Sequence, residues 1–246
     1  MKKQTLERFI KKYSLNNTIE SVKWNVDTKN QQLKTSAITE EKNVLVSVVL
    51  SKFDGIAEDC ELGVNDTSKL NKMMGVLGDE FTAKLNKKDD KITSISLEDG
   101  DTEMQFVTAD LSVIPNAPNL KKIPDFNAEI VLDEELINKF IKAKGALADT
   151  DIFTLLMNKK QKMELVLGHS TLNSNKIKLG VKTQNNKDSI TRNINFSARY
   201  LKEILTANGD CDNAVLKVSD AGLATITFVK DEFESTYYMV EIKTAE

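Results

Sequence analysis

The residues of this chain that could do chemistry are few and scattered. His169 is the only histidine and lies in the loop-like segment LGHSTLNS, so a catalytic triad or a histidine-rich metal site is hard to build. Asp149 and Asp151 could bind magnesium, although a helix-to-strand turn explains the same carboxylates. Neither a Walker loop nor a GxGxxG motif is present. We therefore predict a protein that is not an enzyme and that uses no cofactor and no metal.

Basic side chains form the one recurring pattern with a chemical meaning. Four amphipathic, helix-like segments carry lysine and arginine opposite their apolar stripes, and their formal charges total +10 in a chain of net charge −3. Cations without interleaved aromatic side chains suit a phosphate backbone rather than stacked bases. One solvated lysine face is ordinary, but its recurrence on four helices favours a shared anion-binding surface. The predicted anion-facing residues are Lys2, Lys3, Arg8, Lys11, Lys12, Lys69, Lys72, Lys139, Lys142, Lys144, Arg199 and Lys202.

These helices belong to a pattern that the chain repeats at a constant offset of 131 residues. The tripeptide FIK at 9–11 recurs at 140–142, and the alternating apolar residues of 46–50 fall on those of 177–181. Each half reads as helix, strands, helix, strands, which is typical of an α+β fold with helices on one face of antiparallel sheets. The predicted helices are 5–13, 67–77, a helix of about a dozen residues that Asp133 caps, and 198–207. The predicted strands are 22–26, 33–37, 44–50, 81–85, 92–97, 104–107, 152–157, 163–167, 177–181, 214–218, 224–229 and 236–242.

Residues 111–130 separate the two halves and hold all three prolines of the chain within ten residues. Proline fixes φ and removes a backbone donor, so this segment excludes a helix and any central strand. A stretch of this length without regular structure is a functional loop or a linker. Because the same pattern lies on both sides, we interpret it as a connector between domains 1–110 and 131–246.

The composition is that of a globular protein with two domains of ordinary size, since 246 residues allow each half to bury its own core. No run of about 18 apolar residues exists, so we expect no membrane partner. The charged amino-terminal segment argues against export. Cys60 and Cys211 provide no disulfide or metal framework. We therefore expect a cytoplasmic protein.

The full-length pattern, together with NFSARYLKEILTANGDCDNAVLKVSDAGLATITFVKDEFESTYYMVEI at 195–242, resembles the DNA polymerase sliding clamps. It is most similar to the two-domain clamps of tailed bacteriophages, which are similar to proliferating cell nuclear antigen. The resemblance implies a duplicated clamp domain that assembles into a homotrimeric ring. The implied function is that of a processivity factor, which encircles double-stranded DNA without sequence preference and tethers a DNA polymerase. A clamp loader is the further implied partner, and the bacterial host cytoplasm is the implied location.

The resemblance also assigns two protein-binding surfaces. The connector and the last strand form a pocket for partner peptides, whose residues are Val113, Ile114, Ile123, Pro124, Tyr238 and Val240. Adjacent subunits pair edge strands head to tail, which closes a ring of three chains from six equivalent domains. The residues of this subunit interface are Gln105, Phe106, Val107, Thr108, Ala109, Lys176, Ile177, Lys178 and Leu179. A virion ring component with the same duplicated fold is the competing interpretation.

Overall fold

The chain folds into two compact units, each built from two helices and antiparallel strands. The computed structural model describes residues 1–118, 120, 122–170, 174–211 and 213–243. Residues 119 and 121 of the predicted connector lie outside this part of the chain. Unit 1 consists of Met1–Thr39, Val46–Pro118 and Val229–Ser235, and unit 2 consists of Glu40–Leu45, Asn119–Phe228 and Thr236–Glu246.

Four α-helices and sixteen strands are found in the described part of the chain. The helices are α1 (Lys3–Ser14), α2 (Thr67–Met74), α3 (Glu134–Ala146) and α4 (Ala198–Ala207). The strands are β1 (Val22–Asp27), β2 (Gln32–Ile38), β3 (Val44–Ser51), β4 (Cys60–Val64), β5 (Thr82–Lys88), β6 (Lys91–Glu98), β7 (Glu103–Val107), β8 (Ala128–Asp133), β9 (Ile152–Met157), β10 (Met163–Leu167), β11 (Ile177–Gly180), β12 (Thr183–Asp188), β13 (Ile194–Ser197), β14 (Asn213–Ser219), β15 (Leu223–Lys230) and β16 (Phe233–Val240).

The two halves of the chain repeat one topology. The strand order β4-β1-β2-β3 corresponds to β13-β9-β10-β11, and β5-β6-β7 corresponds to β14-β15-β16. Thr82–Lys88 and Asn213–Ser219 occupy the same seven positions after a shift of 131. The second half adds β8 next to β14, and β12 next to β8. At the place equivalent to β8, the first half has an isolated bridge between Lys2 and Glu80. The predicted α+β class with a duplicated domain is therefore confirmed.

Each unit buries the apolar stripes of its two helices. In unit 1, α1 packs against α2, and Phe9 is fully buried with its ring edge-on to Trp24 of β1. In unit 2, α3 packs against α4, and Phe140 contacts Phe153 of β9 in the same edge-on geometry. These aromatic contacts connect each helix to its sheet, because edge-to-face pairs add to the free energy gained by burial.

Two backbone hydrogen bonds fix the register between β3 and β16, and each bond lies inside one unit. In unit 2 the amide of Val240 donates to the carbonyl of Asn43 at 2.8 Å. In unit 1 the amide of Ser51 donates to the carbonyl of Glu232 at 2.8 Å. The strands are therefore antiparallel, and the residue numbers of each bonded pair add to 283.

Several predicted boundaries were wrong. α2 ends at Met74, with Gly75 as its C-cap. The predicted N-cap of α3 is confirmed, because the side chain of Asp133 accepts from the Leu136 amide at 2.9 Å. The strands β4, β8, β12 and β13 were not predicted. β8 begins at Ala128, within the predicted connector, and three consecutive apolar residues at 130–132 interrupt the alternation that identifies a half-buried strand.

The start of the connector packs against Gly63 of β4. The Ala109 amide donates to the Gly63 carbonyl at 2.9 Å, and Ile114 is only 3% exposed. A Cβ at position 63 would lie 2.3 Å from the Ala109 carbonyl oxygen and 2.9 Å from Cδ1 of Ile114. Glycine is therefore required for this close approach.

We expect Gly63→Ala to lower the free energy of unfolding of unit 1 by about 1–3 kcal/mol, because the added methyl group overpacks this contact. Fluorescence of Trp24, the only tryptophan of the chain, reports the transition in a denaturant titration. Gly145→Ala in α3 is the control: a Cβ there meets nothing within 4 Å, so helix propensity should raise stability by about 1 kcal/mol. An unchanged midpoint for Gly63→Ala would contradict the proposed role of this glycine.

Candidate nucleic-acid interface and protein-docking edges

The helices of unit 1 present four exposed lysines. Leu6, Ile10 and their neighbours bury one side of α1, which leaves Lys11 exposed on the other side. The remaining exposed lysines are Lys2 before α1 and Lys69 and Lys72 on α2.

The helices of unit 2 present a similar set. Lys139, Lys142 and Arg199 are exposed, and Lys202 is half-exposed. Lys139 forms an ion pair with Glu135 one turn earlier, at 2.6 Å, and the Arg199 guanidinium lies 3.8 Å from the Glu41 carboxylate. Lys142 and Lys202 form no ion pair with another described residue, so their charges are available to an external anion.

Lys12 and Lys144 are buried, so the prediction that they lie on solvent faces was wrong. Lys12 is 1% exposed, and its ammonium lies 5.6 Å from the centre of the Phe233 ring. Lys144 is 8% exposed and donates to the Ala148 carbonyl at 2.7 Å, just beyond the end of α3. A lysine near a helix C-terminus is favoured there, since it interacts with the last carbonyls and with the helix dipole.

Lys3 and Arg8 are only half-exposed and are largely engaged within unit 1. The Lys3 ammonium donates to the Leu77 carbonyl at 2.7 Å. The Arg8 guanidinium forms an ion pair with Asp231 at 3.1 Å and lies 4.5 Å from the centre of the Phe233 ring. Both residues therefore have structural contacts that the helical pattern alone could not indicate.

The charge of the helices is smaller than the sequence interpretation suggested. Lys2 precedes α1, and α3 includes Glu134 and Glu135 in its first turn. With the observed boundaries the formal charge of the four helices is +7 instead of +10. The rest of the chain carries −10, since the net charge is −3. The separation of charge remains, although it is weaker.

Salt bridges at the start of α3 favour the ionised forms of the side chains that form them. A hydrogen bond from Lys182, at 2.7 Å, is the main cause that holds the pKa of Asp133 below its usual range, and the Leu136 amide adds to it. The same contact raises the pKa of Lys182. The Lys139 ammonium likewise lowers the pKa of Glu135. Asp133, Glu135 and Lys182 therefore carry full charge at neutral pH.

The subunit-interface residues predicted from the sequence lie on two strands at sheet edges. β7 is the last strand of the order β5-β6-β7, and β11 is the first strand of the order β11-β10-β9-β13. The Thr108 amide donates to Thr93, so alternation leaves the backbone groups of Gln105 and Val107 pointing away from β6. On β11 the corresponding groups are those of Lys178 and Gly180, because the Val181 amide donates to Met163.

Other predicted interface residues differ in exposure. Val107 is 69% exposed, whereas the Phe106 side chain is 3% exposed and belongs to the core. Lys176 is exposed, and Ile177 and Leu179 are half-buried. The prediction that Ala109 pairs with another subunit was wrong for its backbone amide, because this amide already donates to the Gly63 carbonyl. The free part of the β7 edge therefore ends before Ala109.

The predicted partner-pocket residues fall into two groups. Val113, Ile123 and Val240 are exposed by 70%, 46% and 47%, and Pro124 and Tyr238 are half-exposed. Ile114 is buried against β4, so its assignment to an exposed surface was wrong. The connector pattern showed which residues are apolar but not which of them packs on its own domain.

The structure brings no catalytic cluster together among the residues it describes. His169 is exposed, with Nε2 3.5 Å from the Asn193 amide nitrogen, and the carboxylate of Asp151 lies 3.8 Å from the Lys144 ammonium. Burial raises the pKa of the Cys60 thiol to about 11, so this cysteine is protonated and a poor nucleophile at neutral pH. No three His, Cys, Asp or Glu residues of the described ranges form a metal-binding group. No helix among those ranges is long and apolar enough to span a membrane.

Comparisons with known proteins identify the fold. No protein-family model matches the chain, and no curated protein matches it by sequence. Proliferating Cellular Nuclear Antigen from Entamoeba histolytica superimposes with a TM-score of 0.71 at 17% identity, covering 98% of this chain and 96% of that one. A chain of the complex in which the C-terminal region of FEN-1 is bound to A. fulgidus PCNA gives a TM-score of 0.73 at 17% identity, with 100% and 98% covered. The chain thus has the fold of the PCNA-type sliding clamps.

Sequence reasoning missed the charged residues that flank the two edges. Asp101 and Glu103 lie at the start of β7, and Lys182 follows β11. The acidic run EDGDTE at 98–103 was the available signal. Its meaning depends on the edge position of β7, which the sequence alone does not reveal.

We expect adjacent lysines to differ sharply in chemical reactivity. Lys11 and Lys142 should react with an amine-specific reagent in the native protein, whereas Lys12 and Lys144 should react only after unfolding, because a buried amine is inaccessible. Peptide mass spectrometry of native and denatured samples measures both pairs in one experiment. Equal native labelling of Lys11 and Lys12 would contradict the burial described above.

Proposed function

We propose that this protein is a DNA polymerase processivity factor, a homotrimeric sliding clamp of the two-domain tailed-bacteriophage type. The observation that carries the proposal is the duplicated clamp fold in which all four helices present cations on the side away from the core. In this proposal the ring encloses double-stranded DNA and tethers a polymerase, and a clamp loader places it on DNA in the bacterial cytoplasm. The protein acts by topology and does no chemistry.

The helix cations suit sliding because they make many weak contacts. Lysines contact phosphates without reading sequence, and each exposed contact is weak and screened by salt. Lys11, Lys72, Lys142 and Lys202 supply one such contact from each helix. The remaining DNA-facing candidates with free or partly free charges are Lys2, Lys69, Lys139 and Arg199. Lys12 and Lys144 support the helices from within.

Ring closure in this proposal uses the free edges of β7 and β11. The two halves of the chain are related by a shift of 131 residues. Applied to the β3–β16 pairing, this shift gives a pairing of β11 in one subunit with β7 in the next. Adding 131 to the residue numbers of β3 gives β11, and subtracting 131 from those of β16 gives β7. The numbers of two paired residues therefore again add to 283. Gln105 then lies opposite Lys178, and both have outward-pointing backbone groups. The register therefore agrees with the direction of the free hydrogen-bonding groups on both edges.

Partner proteins are expected to dock on the exposed apolar residues of the connector. The A. fulgidus PCNA structure holds the C-terminal region of FEN-1, and we propose that a terminal peptide of the polymerase or the loader binds this protein in a similar way. Val113 and Ile123 are the connector side chains best placed to be anchors, since both are exposed and apolar. Val240, Pro124 and Tyr238 remain candidates for the same role.

A charge-reversal variant tests the DNA-facing assignment. Replacing Lys11, Lys72, Lys142 and Lys202 with glutamate should lower affinity for duplex DNA at least about tenfold and reduce its salt dependence, because each phosphate contact contributes to the salt slope. Fluorescence anisotropy over a salt series, with two unrelated duplex sequences, measures both effects.

A control with the same change in charge shows whether position matters. It replaces the exposed lysines Lys29, Lys88, Lys159 and Lys160, which lie outside the helices. The control should bind DNA nearly as well as the parent protein. Equal loss in both quadruple variants would show only a general charge effect and would contradict the helix assignment.

A further inference from the structure

Two carboxylates at the acidic end of β7 have no partner among the residues that the structure describes. Glu98 and Glu103 lie directly opposite each other in the β6–β7 register, and like charges in that position destabilise a sheet. Asp99 is engaged locally, since it accepts from the amides of Gly78 and Thr102. Asp101 and Glu103 are exposed, and among the described residues neither side chain has a hydrogen-bond or ion-pair partner.

The edge formed by β11 and the residue pair after it carries the opposite charge. Lys176, Lys178, Gly180 and Lys182 alternate along it and are all exposed. The ammonium of Lys178 is 3.9 Å from Glu164, and that of Lys182 is 2.7 Å from Asp133. Their side chains nevertheless remain 55% and 71% exposed. A Cβ at Gly180 would meet no atom within 4 Å, so the space between the two lysines is open.

In the register in which paired residue numbers add to 283, the acidic residues at the start of β7 face the lysines along the β11 edge. Asp101 falls opposite Lys182, and Glu103 falls opposite Gly180, between Lys178 and Lys182 at the two diagonal positions. Diagonal neighbours across an antiparallel pair are within reach of long side chains. A carboxylate over a glycine, with a lysine on each side, is a complementary arrangement of shape and charge.

We propose that a second copy of this chain docks through this arrangement, which we call the Glu103 clasp: Glu103 of one subunit seated over Gly180 of the next, between Lys178 and Lys182. The proposal rests on the clamp function proposed above and names the residues that hold the ring. The two edges carry opposite charges, so the contact forms head to tail and neither edge pairs with itself. Salt screens partly exposed charges, so the assembled ring weakens as ionic strength rises.

The chain contains its own comparison for this clasp. At the equivalent β3–β16 pairing Glu234 replaces Glu103, and Val49 stands in the place of Gly180. Ser47 and Ser51 occupy the places of Lys178 and Lys182. The two lysines and the glycine therefore occur at β11 and not at the equivalent positions of β3. They distinguish β11, the edge that receives a second copy, from β3, which is already paired within the chain.

Charge exchange tests the clasp. Glu103→Lys, or Lys178→Glu combined with Lys182→Glu, should raise the concentration at which the trimer dissociates at least about tenfold, because two attractive pairs become repulsive. Combining all three substitutions should restore assembly. Glu234→Lys is the matched control, since it makes the same change at the equivalent exposed position of β16, and it should assemble as the parent does. Sedimentation velocity over protein and salt series gives the result, and circular dichroism verifies folding.

The outcomes separate the clasp from the ring itself. A parent protein that stays monomeric at every concentration would overturn the proposed ring, and the clasp with it. A trimeric parent with an equally stable Glu103→Lys trimer would overturn the clasp alone. A folded triple variant that fails to assemble would also count against the clasp. The proposed pairing requires opposite charges on the two edges, whichever edge carries the positive charge.

Discussion

The backbone groups left unpaired on β7 and β11 are the constraint on which this structure depends. A sheet edge exposes hydrogen-bond donors and acceptors that must be covered by water or by another strand. β3 and β16 have this need met within the chain, where their amides and carbonyls pair in an antiparallel register. β7 and β11 hold the equivalent positions in the repeat and have no such neighbour in the described part of the chain. The duplicated fold thus pairs β3 with β16 and leaves the equivalent strands as edges, which pair between subunits in the proposed ring.

The distribution of lysines follows from the packing of helices on these sheets. Each helix buries one apolar stripe, so cations on the opposite side reach solvent, as Lys11 and Lys142 do. Cations at the border of the stripe are drawn inward, because their aliphatic stems pack while the ammonium finds a carbonyl or an aromatic ring. Lys144 and Lys12 show the two cases. The exposed charge of the helices is thus a subset of the charge that the sequence supplies.

Periodicity and the offset of 131 were sufficient to predict the duplicated α+β fold, because both depend on apolar residues that recur at fixed spacing. β4 was not predicted because it is only five residues long and includes glycine, which is depleted in strands. β8 was not predicted because three consecutive apolar residues at 130–132 interrupt its alternation. The burial of Lys12 could not be predicted, since Phe233, which covers it, comes from the far end of the chain. Ile114 was misassigned for a related reason: contact with Gly63 decides its burial, and local sequence does not contain that contact.

Topological retention on DNA tests the central claim most directly. A variant with Gln105→Cys and Lys178→Cys, in which Cys60 and Cys211 are replaced by alanine, places one cysteine pair at each proposed subunit junction, at a Cα separation of about 5.5 Å that a disulfide can span. Oxidation in the presence of closed circular DNA should yield covalently closed trimers that stay on the circle in high salt and leave when it is linearised. Disulfide-linked trimers that wash off intact circles would contradict the account, as would the absence of any crosslink between subunits.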